Sequence, residues 1–391
     1  MDTSKIPNVP AGSGWRPWLG DISGAFADLG IFLPLVIGLL VVGAHDGAGI
    51  LVGFGVFAIA TGLYYRRPVP VQPMKAIAAL AITGVMTASD MMASGIILGV
   101  ALLALGGSGL IVHVERLVPR TILFGIQLGL GLSLIVTSFG IAGHDLWLGL
   151  ILFSVLVALG LTRLREAGCL ILLACAIAWP LASGTAQLPT GGVGWHWPGL
   201  HMAGPDAFWR AMETGVLPQL ALTVTNAVLL TAAIAGDYFP QDRHRINARN
   251  LAMSSGGLNL LLAPFGAVPM CHGAGGLAAQ YGQGARTGLA PVIFGVSCLA
   301  LGVLAGPNAL AWLQLIPMAV IAALLAFAGY QLMNVRRLTF LRPACLTIIG
   351  ITALVSLLVN VAVGLLAGCL AELVRAQLGR RYAQLRPGSR S

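Results

Sequence analysis

The chain has 391 residues, of which 57% are hydrophobic and only 9% are charged, so it cannot form the surface of a soluble globular protein. Its formal net charge of +9 does not indicate a nucleic-acid partner, because the arginines lie in short clusters between apolar stretches and form no basic, aromatic-bearing domain. The six cysteines lie in or beside apolar segments and at no metal-ligand spacing. We therefore expect neither a metal nor a cofactor.

Apolar stretches of about 20 residues recur along the chain, and each is long enough to cross a lipid bilayer as a helix. They predict seven spans within 1–183, an external Gly/Pro/Trp-rich loop at 184–213, seven further spans within 214–376 and a basic cytoplasmic tail at 377–391. The predicted spans are 22–42, 47–65, 69–88, 91–113, 117–139, 145–161, 167–183, 215–235, 249–264, 268–282, 286–305, 308–331, 343–359 and 361–376.

The basic residues agree with this count of spans. If the N-terminus is cytoplasmic, all but two of the 22 lysines and arginines fall in segments on the cytoplasmic side. Such an asymmetry predicts fourteen spans with both termini inside. The exceptions are Arg210, in the external loop, and Lys75, within the membrane. Few lysines beside many arginines, alanines and glycines favour a high-GC bacterium, and hence the bacterial inner membrane.

The third span of each half is interrupted. Three prolines within 68–73 prevent a continuous helix but permit an extended strand, and Pro73 suits the first turn of a helix that follows. Pro264, Gly266 and Pro269 interrupt the tenth span, and a helix of small residues follows. Interruptions at matching places in two halves indicate inverted repeats with a binding site between them.

The two half-helices are expected to meet N-terminus to N-terminus near the middle of the membrane. Their free backbone N–H groups and partial positive charges would then form an anion site, to which Lys75 adds a full charge. A lysine at the bilayer centre costs roughly 2.5–3.5 kcal/mol, so it needs a cavity or a partner. The alternative is that Lys75 only pairs with Asp28 to hold two spans together. The expected substrate-binding residues are Gln72, Pro73, Met74, Lys75 and Ala76 in the third span and Cys271, His272, Gly273, Ala274 and Gly275 in the tenth.

Two titratable residues are candidates for carrying a proton. Asp28 is the only carboxylate well inside a span, and it is either a counter-charge to Lys75, a proton carrier or a helix-end cap. His272, with an ordinary pKa near 6.5, either donates to a bound anion, titrates, or is satisfied by a neighbouring carbonyl. A catalytic pair of Cys271 and His272 is disfavoured, because neighbouring residues on a helix point about 100° apart.

A polar helical face lies at the start of the second half. Gln219, Thr223 and Asn226 follow one another at spacings of four and three, so they share one side of a helix that lines either a cavity or another helix. We assign Thr223 and Asn226 to the substrate site. Gln127, a single amide among glycines, is equally consistent with a helix–helix hydrogen bond.

Five stretches carry a family resemblance. They are GAFADLGIFLPLV (24–36), PVQPMKAIAA (70–79), GIQLGLGLSL (125–134), LPQLALTVTNAV (217–228) and PMCHGAGGLAAQYGQGARTG (269–288). In these stretches the chain resembles the molybdate-transporter branch of the sulfate permease superfamily. It departs from the pattern at Ala221 and Ala227, where Pro and Ser are expected, and at Gln283, where an aromatic residue is common.

The resemblance implies an all-α polytopic membrane protein with a uracil-permease-like fold, built from two inverted repeats of seven spans. Short strands are expected in the broken third and tenth spans. It also implies a core domain from spans 1–4 and 8–11 and a gate domain from spans 5–7 and 12–14. The gate is expected to form a homodimer.

The predicted function is secondary transport of a tetrahedral oxyanion, most simply molybdate uptake. The sequence has no G-x-x-x-x-G-K-[ST] loop for ATP, so the energy must come from a gradient or from facilitated diffusion. A dianion entering against 100 mV costs about 4.6 kcal/mol, and proton symport through Asp28 and His272 is the simplest compensation. The alternatives are a sulfate transporter on the same scaffold and a membrane-embedded enzyme, which the resemblance disfavours.

Overall fold

The computed structural model describes residues 17–43, 47–162, 164, 167–184, 188–189, 194–333 and 343–384. Several basic residues that entered the topology prediction, among them Lys5 and Arg16, lie outside these ranges, as do 163, 165, 336, 337, 342 and the tail from 385 onwards.

The first half of the chain contains nine α-helices and one short strand among the described residues. They are α1 (Pro17–Ala25), α2 (Leu29–Val41), α3 (Gly47–Tyr65), β1 (Gln72–Pro73), α4 (Lys75–Ile82), α5 (Ala88–Gly107), α6 (Leu110–Leu117), α7 (Arg120–Ala142), α8 (Leu146–Gly160) and α9 (Gly168–Ala182).

The second half, within the described residues, continues with ten α-helices and a second strand. They are α10 (Pro205–Ala211), α11 (Leu217–Leu222), α12 (Thr231–Tyr238), α13 (Ala248–Leu262), β2 (Met270–Cys271), α14 (Ala274–Gly282), α15 (Leu289–Ala305), α16 (Ala309–Leu313), α17 (Met318–Met333), α18 (Pro343–Leu358) and α19 (Val361–Gln384). Two π-helical segments, Met212–Val216 and Thr223–Leu230, join α10, α11 and α12 into one long helical span.

Within the described residues, six helical stretches are long and apolar enough to cross a membrane, and four shorter apolar helices accompany them. The six are Trp18–Val41, Gly47–Tyr65, Ala88–Gly107, Arg120–Ala142, Pro205–Tyr238 and Leu289–Leu313. The first is not one regular helix, because α1 ends at Ala25 and α2 begins at Leu29 after a turn that contains Asp28.

The two broken spans cross at a pair of short strands. The strands β1 and β2 pair antiparallel, with Gln72 opposite Cys271 and Pro73 opposite Met270. Each strand leads into a half-helix, α4 after β1 and α14 after β2. The predicted strand-plus-half-helix construction of the third and tenth spans is therefore present, because proline permits extended backbone before the helix and no helix through it.

Helix packing repeats between the two halves. Helix α3 packs along α15, and α5 packs along α13. If the second half repeats the first, α3 corresponds to α13 and α5 to α15. The contact of α3 with α15 is then the equivalent of the contact of α13 with α5. Helix α7 packs against α17 and α18, and α17 packs against α8, which obeys the same rule. Inverted repeats produce this exchange of partners.

Glycines allow the closest helix contacts. A Cβ atom on Gly62 would lie 2.4 Å from the carbonyl oxygen of Gly288, where α3 meets α15. At the equivalent contact of α5 with α13, a Cβ on Gly256 would lie 2.8 Å from the carbonyl oxygen of Gly99. Both distances are too short for any side chain, so the glycines let the backbones approach, as is common between membrane helices.

One pair of contacts breaks this symmetry. The half-helix α14 packs along α17, and the equivalent contact would join α4 to α7. Among the described residues α4 makes no comparable contact with α7. Instead, Lys75 is half-buried, and Ala79, one turn further along α4, and Thr83, directly after its end, are exposed. One half-helix is therefore closed over by a neighbouring helix, while the other presents an open face.

Candidate functional site

The half-helices begin beside the crossing strands. The Met74 N–H donates to the Pro269 carbonyl at 2.8 Å, which ties the first turn of α4 to the second broken span. Met74 itself has extended backbone angles and offers no side-chain cap to α4. Gly273 precedes α14 in the same way, also without a side-chain cap. The first turns of both half-helices therefore lie beside the paired strands, and neither receives a cap from the side chain of the residue before it.

Asp28 and Gln72 form a buried pair at the start of α14. The Gln72 amide nitrogen donates to both carboxylate oxygens of Asp28, at 2.8 and 2.7 Å. The two side chains are 6% and 1% exposed. A Cβ on Gly276 would lie 2.3 Å from an Asp28 oxygen, and one on Gly273 would lie 1.8 Å from the Gln72 amide oxygen. Only glycine at these two positions lets the pair rest against the first turn of α14.

The position of Asp28 answers one question that the sequence left open. Although Asp28 precedes α2, its side chain makes no capping hydrogen bond to that helix. Its carboxylate lies instead at the positive end of α14, where a helix favours negative charge. The carboxylate therefore occupies a place that suits a bound anion.

Lys75 is the first residue of α4, and its side chain has no salt bridge among the described residues. Within the described part of the chain, its ammonium forms no hydrogen bond and no ion pair with a carboxylate, Asp28 included. Lys75 lies near enough to Asp28 and Cys271 for an electrostatic interaction, but the partner of Asp28 is Gln72. The alternative in which Lys75 serves only as a salt bridge with Asp28 is therefore not supported by the geometry.

The predicted polar face of the second half meets α4. The Ala76 N–H, in the first turn of α4, donates to the Gln219 side-chain oxygen at 2.8 Å. The Gln219 amide nitrogen donates in turn to the Thr223 hydroxyl at 2.9 Å. Asn226 is 9% exposed, and its side-chain oxygen has no hydrogen-bond partner among the described residues. This face includes the π-helical segment from Thr223, and π-helical turns are frequent at functional sites.

Gln219 is the residue that the sequence assignment of ligands omitted. Its spacing of four from Thr223 placed it on the correct face, but no local pattern indicated that it would reach the backbone of another broken span. That contact depends on how the two halves cross.

The His272 side chain lies in a different network. Its Nδ1 is 3.0 Å from the Pro70 carbonyl oxygen, and its Nε2 is 2.8 Å from the Ser254 hydroxyl. The Ser254 hydroxyl also bonds the Tyr65 hydroxyl at 2.7 Å, and the ring packs edge-on against Phe57 and Tyr65. Both ring nitrogens are thus occupied, and the carbonyl partner matches one of the alternatives that the sequence left open. The side chain of His272 reaches neither the Asp28–Gln72 pair nor Cys271.

A cavity of about 310 Å³ lies near this histidine network, between α3 and α13. Thr61, Tyr65 and Ser254 are among its lining residues, and the Thr61 hydroxyl has no hydrogen-bond partner among the described residues. The lining includes no residue of α4, α14 or the Asp28–Gln72 pair. It is therefore separate from the meeting point of the half-helices.

Two further glutamines connect helices away from the site. The Gln127 amide donates to the Leu332 carbonyl, which joins α7 to α17 and matches the helix–helix alternative for that residue. The Gln283 side-chain oxygen accepts from the Cys169 N–H at 3.0 Å and lies 3.4 Å from the Ser23 hydroxyl. Gln283 follows α14 directly, so it links the end of the closed half-helix to the start of α9.

Comparison with known proteins identifies the family. The family model described as "Molybdate transporter of MFS superfamily" matches residues 20–134 and 211–332, which include every candidate site residue named above. Molybdate transporter 1 of Arabidopsis thaliana is 31% identical, over 96% of this chain and 91% of the plant protein. Molybdate transporter 1 of Chlamydomonas reinhardtii is 30% identical, over 89% of each chain.

Solved structures with a similar fold are anion transporters. The transmembrane domain of the cyanobacterial bicarbonate transporter BicA aligns with a TM-score of 0.58 at 17% identity, over 90% of this chain and 98% of that domain. Murine Slc26a9 in its inward-facing state aligns with a TM-score of 0.61 at 13% identity, over 95% of this chain and 70% of that one. At such identities the likeness concerns the fold alone. The chain belongs to the family of molybdate transporters, an integral membrane protein with the uracil-permease-like fold of sulfate-permease-type anion transporters.

Proposed function

We propose that this protein is a secondary transporter that takes up molybdate, and that it belongs to the molybdate branch of the sulfate permease superfamily. One observation carries the proposal. The Lys75 ammonium is unpaired among the described residues and lies in the first turn of α4. The other half-helix, α14, begins just after β2, the strand that pairs with β1. A free cation beside converging helix N-termini suits an anion in the membrane.

The chemistry of the site suits a tetrahedral oxyanion. A dianion such as molybdate accepts hydrogen bonds at every oxygen and donates none. Backbone N–H groups of the two first turns and the Lys75 ammonium are donors only. Gly273, Ala274 and Gly275 offer the substrate the backbone of the first turn of α14, since the space beside Gly273 is filled by the Gln72 amide and Gly275 faces Leu134 and Ile31. Thr223 and Asn226, in the π-helical segment between α11 and α12, extend the site along that helical span.

Asp28 supplies a reason for coupling to protons. Its carboxylate lies at the N-terminus of α14, so when charged it repels a dianion and competes for the same positive end. Protonation removes that charge and leaves the Gln72 amide free to donate to the substrate. Lys75 and Cys271 are the other titratable groups that act electrostatically on Asp28. We therefore assign proton symport to Asp28 rather than to His272, whose ring nitrogens bond Pro70 and Ser254.

Transport follows from relative motion of two groups of helices. We propose a core of spans 1–4 and 8–11, which holds both half-helices, and a gate of spans 5–7 and 12–14. With the N-terminus inside, α4 lies in the outer half of the membrane and α14 in the inner half. The open face of α4 and the contact of α14 with α17 then correspond to an outward-facing state. Gln283 and Cys169 hold the cytoplasmic side closed.

We also propose that both termini are cytoplasmic, in a bacterial inner membrane, and that the gate forms a homodimer. Arg210, the exception on the external side, lies in α10 and not in the predicted loop, and it pairs with an acid that this orientation places on the same side. Its guanidinium lies 2.9 Å from an Asp90 oxygen, and Asp90 also closes the capping box of Thr87 at the start of α5. One external arginine against the many basic residues assigned to the cytoplasmic side leaves the asymmetry intact.

Uptake of labelled molybdate into proteoliposomes tests the function. Saturable uptake that unlabelled molybdate suppresses, and that a tenfold excess of sulfate leaves in place, is the expected result. Suppression by sulfate at equal concentration would instead identify a sulfate transporter. Loss of uptake in Cys271→Ser, together with a covalently modified substrate, would favour the membrane-embedded enzyme; retained uptake removes that alternative.

A further inference from the structure

We infer that Gln219 is an exchangeable cap on α4, which the oxyanion displaces when it binds, so that the side chain at position 219 sets the apparent affinity. The inference rests on the proposed function, because it concerns the same half-helix. It adds a positioning residue that competes with the substrate for a backbone donor.

The geometry gives Gln219 two defined hydrogen bonds. Its side-chain oxygen accepts from the Ala76 N–H at 2.8 Å, and its nitrogen donates to the Thr223 hydroxyl at 2.9 Å. Gln219 and Thr223 are 2% and 1% exposed, so neither bond is exchanged freely for water. The amide therefore fills a donor position in the first turn of α4, directly beside Lys75.

The surroundings are incomplete without a ligand. The Lys75 ammonium is unpaired within the described residues. Asn226, which follows Thr223 on the Gln219 face, has a buried side-chain oxygen with no partner among them. Buried polar groups without partners are rare in folded proteins and are frequently explained by a missing ligand, ion or water. Gln219 thus caps one donor of a site whose other groups remain unsatisfied.

An amide is suited to this exchange because it is neutral. A hydrogen bond between neutral groups is roughly half as strong as one to a charged acceptor. A dianion therefore outcompetes the Gln219 oxygen for the Ala76 N–H. A carboxylate at position 219 would hold that donor more strongly, pair with Lys75 and repel the substrate.

Two substitutions with opposite expected effects test the inference. Gln219→Leu removes the competing oxygen, and we expect the KM for molybdate to fall about fivefold, which corresponds to one ordinary hydrogen bond. Gln219→Glu should raise KM more than tenfold near neutral pH, and acidification should reverse most of this rise, because protonation restores a neutral side chain. Because acid is also expected to stimulate the wild type, the reversal is measured as the ratio of the KM values of Gln219→Glu and wild type at each pH, and a ratio that does not change with pH would overturn the competition.

The matched control is Gln127→Leu. Gln127 is also buried, at 7% exposure, and its amide also bonds a backbone group, but the bond joins α7 to α17 away from α4. The same loss of a buried amide should leave the KM for molybdate unchanged. A fall in KM common to both Leu variants would overturn the assignment to Gln219.

Hydrogen–deuterium exchange of the peptide that contains Ala76 gives a readout independent of transport. Without anion, exchange should be faster in Gln219→Leu than in the wild type, and molybdate should restore protection. Unchanged exchange in Gln219→Leu, or a raised KM in that variant, would overturn the role of Gln219 as a cap. The proposed function would remain, provided that the wild type binds molybdate. Failure of the wild type to bind or transport molybdate would instead refute the proposed function, and the exchange of cap for substrate with it.

Discussion

Replacing Lys75 should stabilise the protein and weaken its binding of molybdate. Lys75→Met keeps the length of the side chain and removes its charge, and Lys75 is half-buried without an ion pair among the described residues. A fully buried membrane lysine costs roughly 2.5–3.5 kcal/mol. Because Lys75 is partly exposed on the open face of α4, we expect only part of this cost to be recovered, about 1–2 kcal/mol.

Binding should change in the opposite direction. A charge-assisted hydrogen bond to the substrate contributes about 1.5–3 kcal/mol, so its loss lowers the affinity for molybdate by about 10- to 150-fold. The melting temperature of the purified protein measures the first effect, and titration calorimetry with molybdate measures the second. Lys75→Arg retains the charge, so its melting temperature should stay near that of the wild type and it should bind better than Lys75→Met.

The two measurements separate the possible roles of Lys75. If Lys75 serves to neutralise Asp28, its removal leaves a buried carboxylate without compensation, and the melting temperature of Lys75→Met falls instead of rising. Asp28→Asn in the same background would then restore stability. A destabilised Lys75→Met protein that binds molybdate with wild-type affinity would refute the anion-site reasoning.

Three further predictions concern the rest of the site. Gly276→Ala should abolish molybdate uptake, because its Cβ would lie 2.3 Å from an Asp28 oxygen. Gly275→Ala should retain most of the uptake, because its Cβ would meet only side-chain ends at 3.2 and 3.3 Å. Equal uptake rates in the two variants would contradict the placement of Asp28. External acidification should stimulate wild-type uptake, since it neutralises the competing carboxylate of Asp28. Asp28→Asn should flatten the pH–rate profile, and His272→Gln should not. A flat profile for the wild-type protein in proteoliposomes would exclude coupling to protons. Ala79→Cys in a cysteine-free background should react with a membrane-impermeant maleimide added outside, and molybdate should slow the reaction; labelling only from the inside would reverse the assigned orientation or state.

The broken spans could be predicted because their cause is local. Proline restricts its own backbone and that of the preceding residue, so a cluster of prolines at 68–73 already excludes a helix and permits a strand. The structure accordingly begins α4 at Lys75 and α14 at Ala274. The membrane fold with its two inverted repeats could be predicted for the same reason, since hydropathy and proline position are properties of short segments. The likeness to solved structures confirms it.

The contacts of individual side chains could not be predicted, because they depend on how distant segments cross. Gln219 reaches the backbone of α4 across 143 positions of sequence, and His272 bonds the carbonyl of Pro70 across 202. Neither partner carries a local pattern, because each is a backbone group that any residue type would supply. The π-helical segment at Thr223–Leu230 is a similar case, since its residues have no composition that distinguishes it from an α-helix.

The asymmetry between the half-helices follows from a requirement that sequence repeats alone do not express. Two repeats related by a two-fold axis in the membrane plane would bury both half-helices equally, and a site so closed would admit substrate from neither side. The structure departs from symmetry because α14 packs on α17, whereas α4 makes no comparable contact with α7 among the described residues. If α14 separated from α17 and α4 packed on α7, the open side of the protein would become the closed one and the closed side would open. This exchange of contacts would separate α14 from α17, and the hydrogen bond from the Cys169 N–H to the Gln283 side chain at the end of α14 adds only about 1 kcal/mol to that contact. Binding of a dianion biases which half-helix is covered only to the extent that one of the two arrangements binds it more tightly.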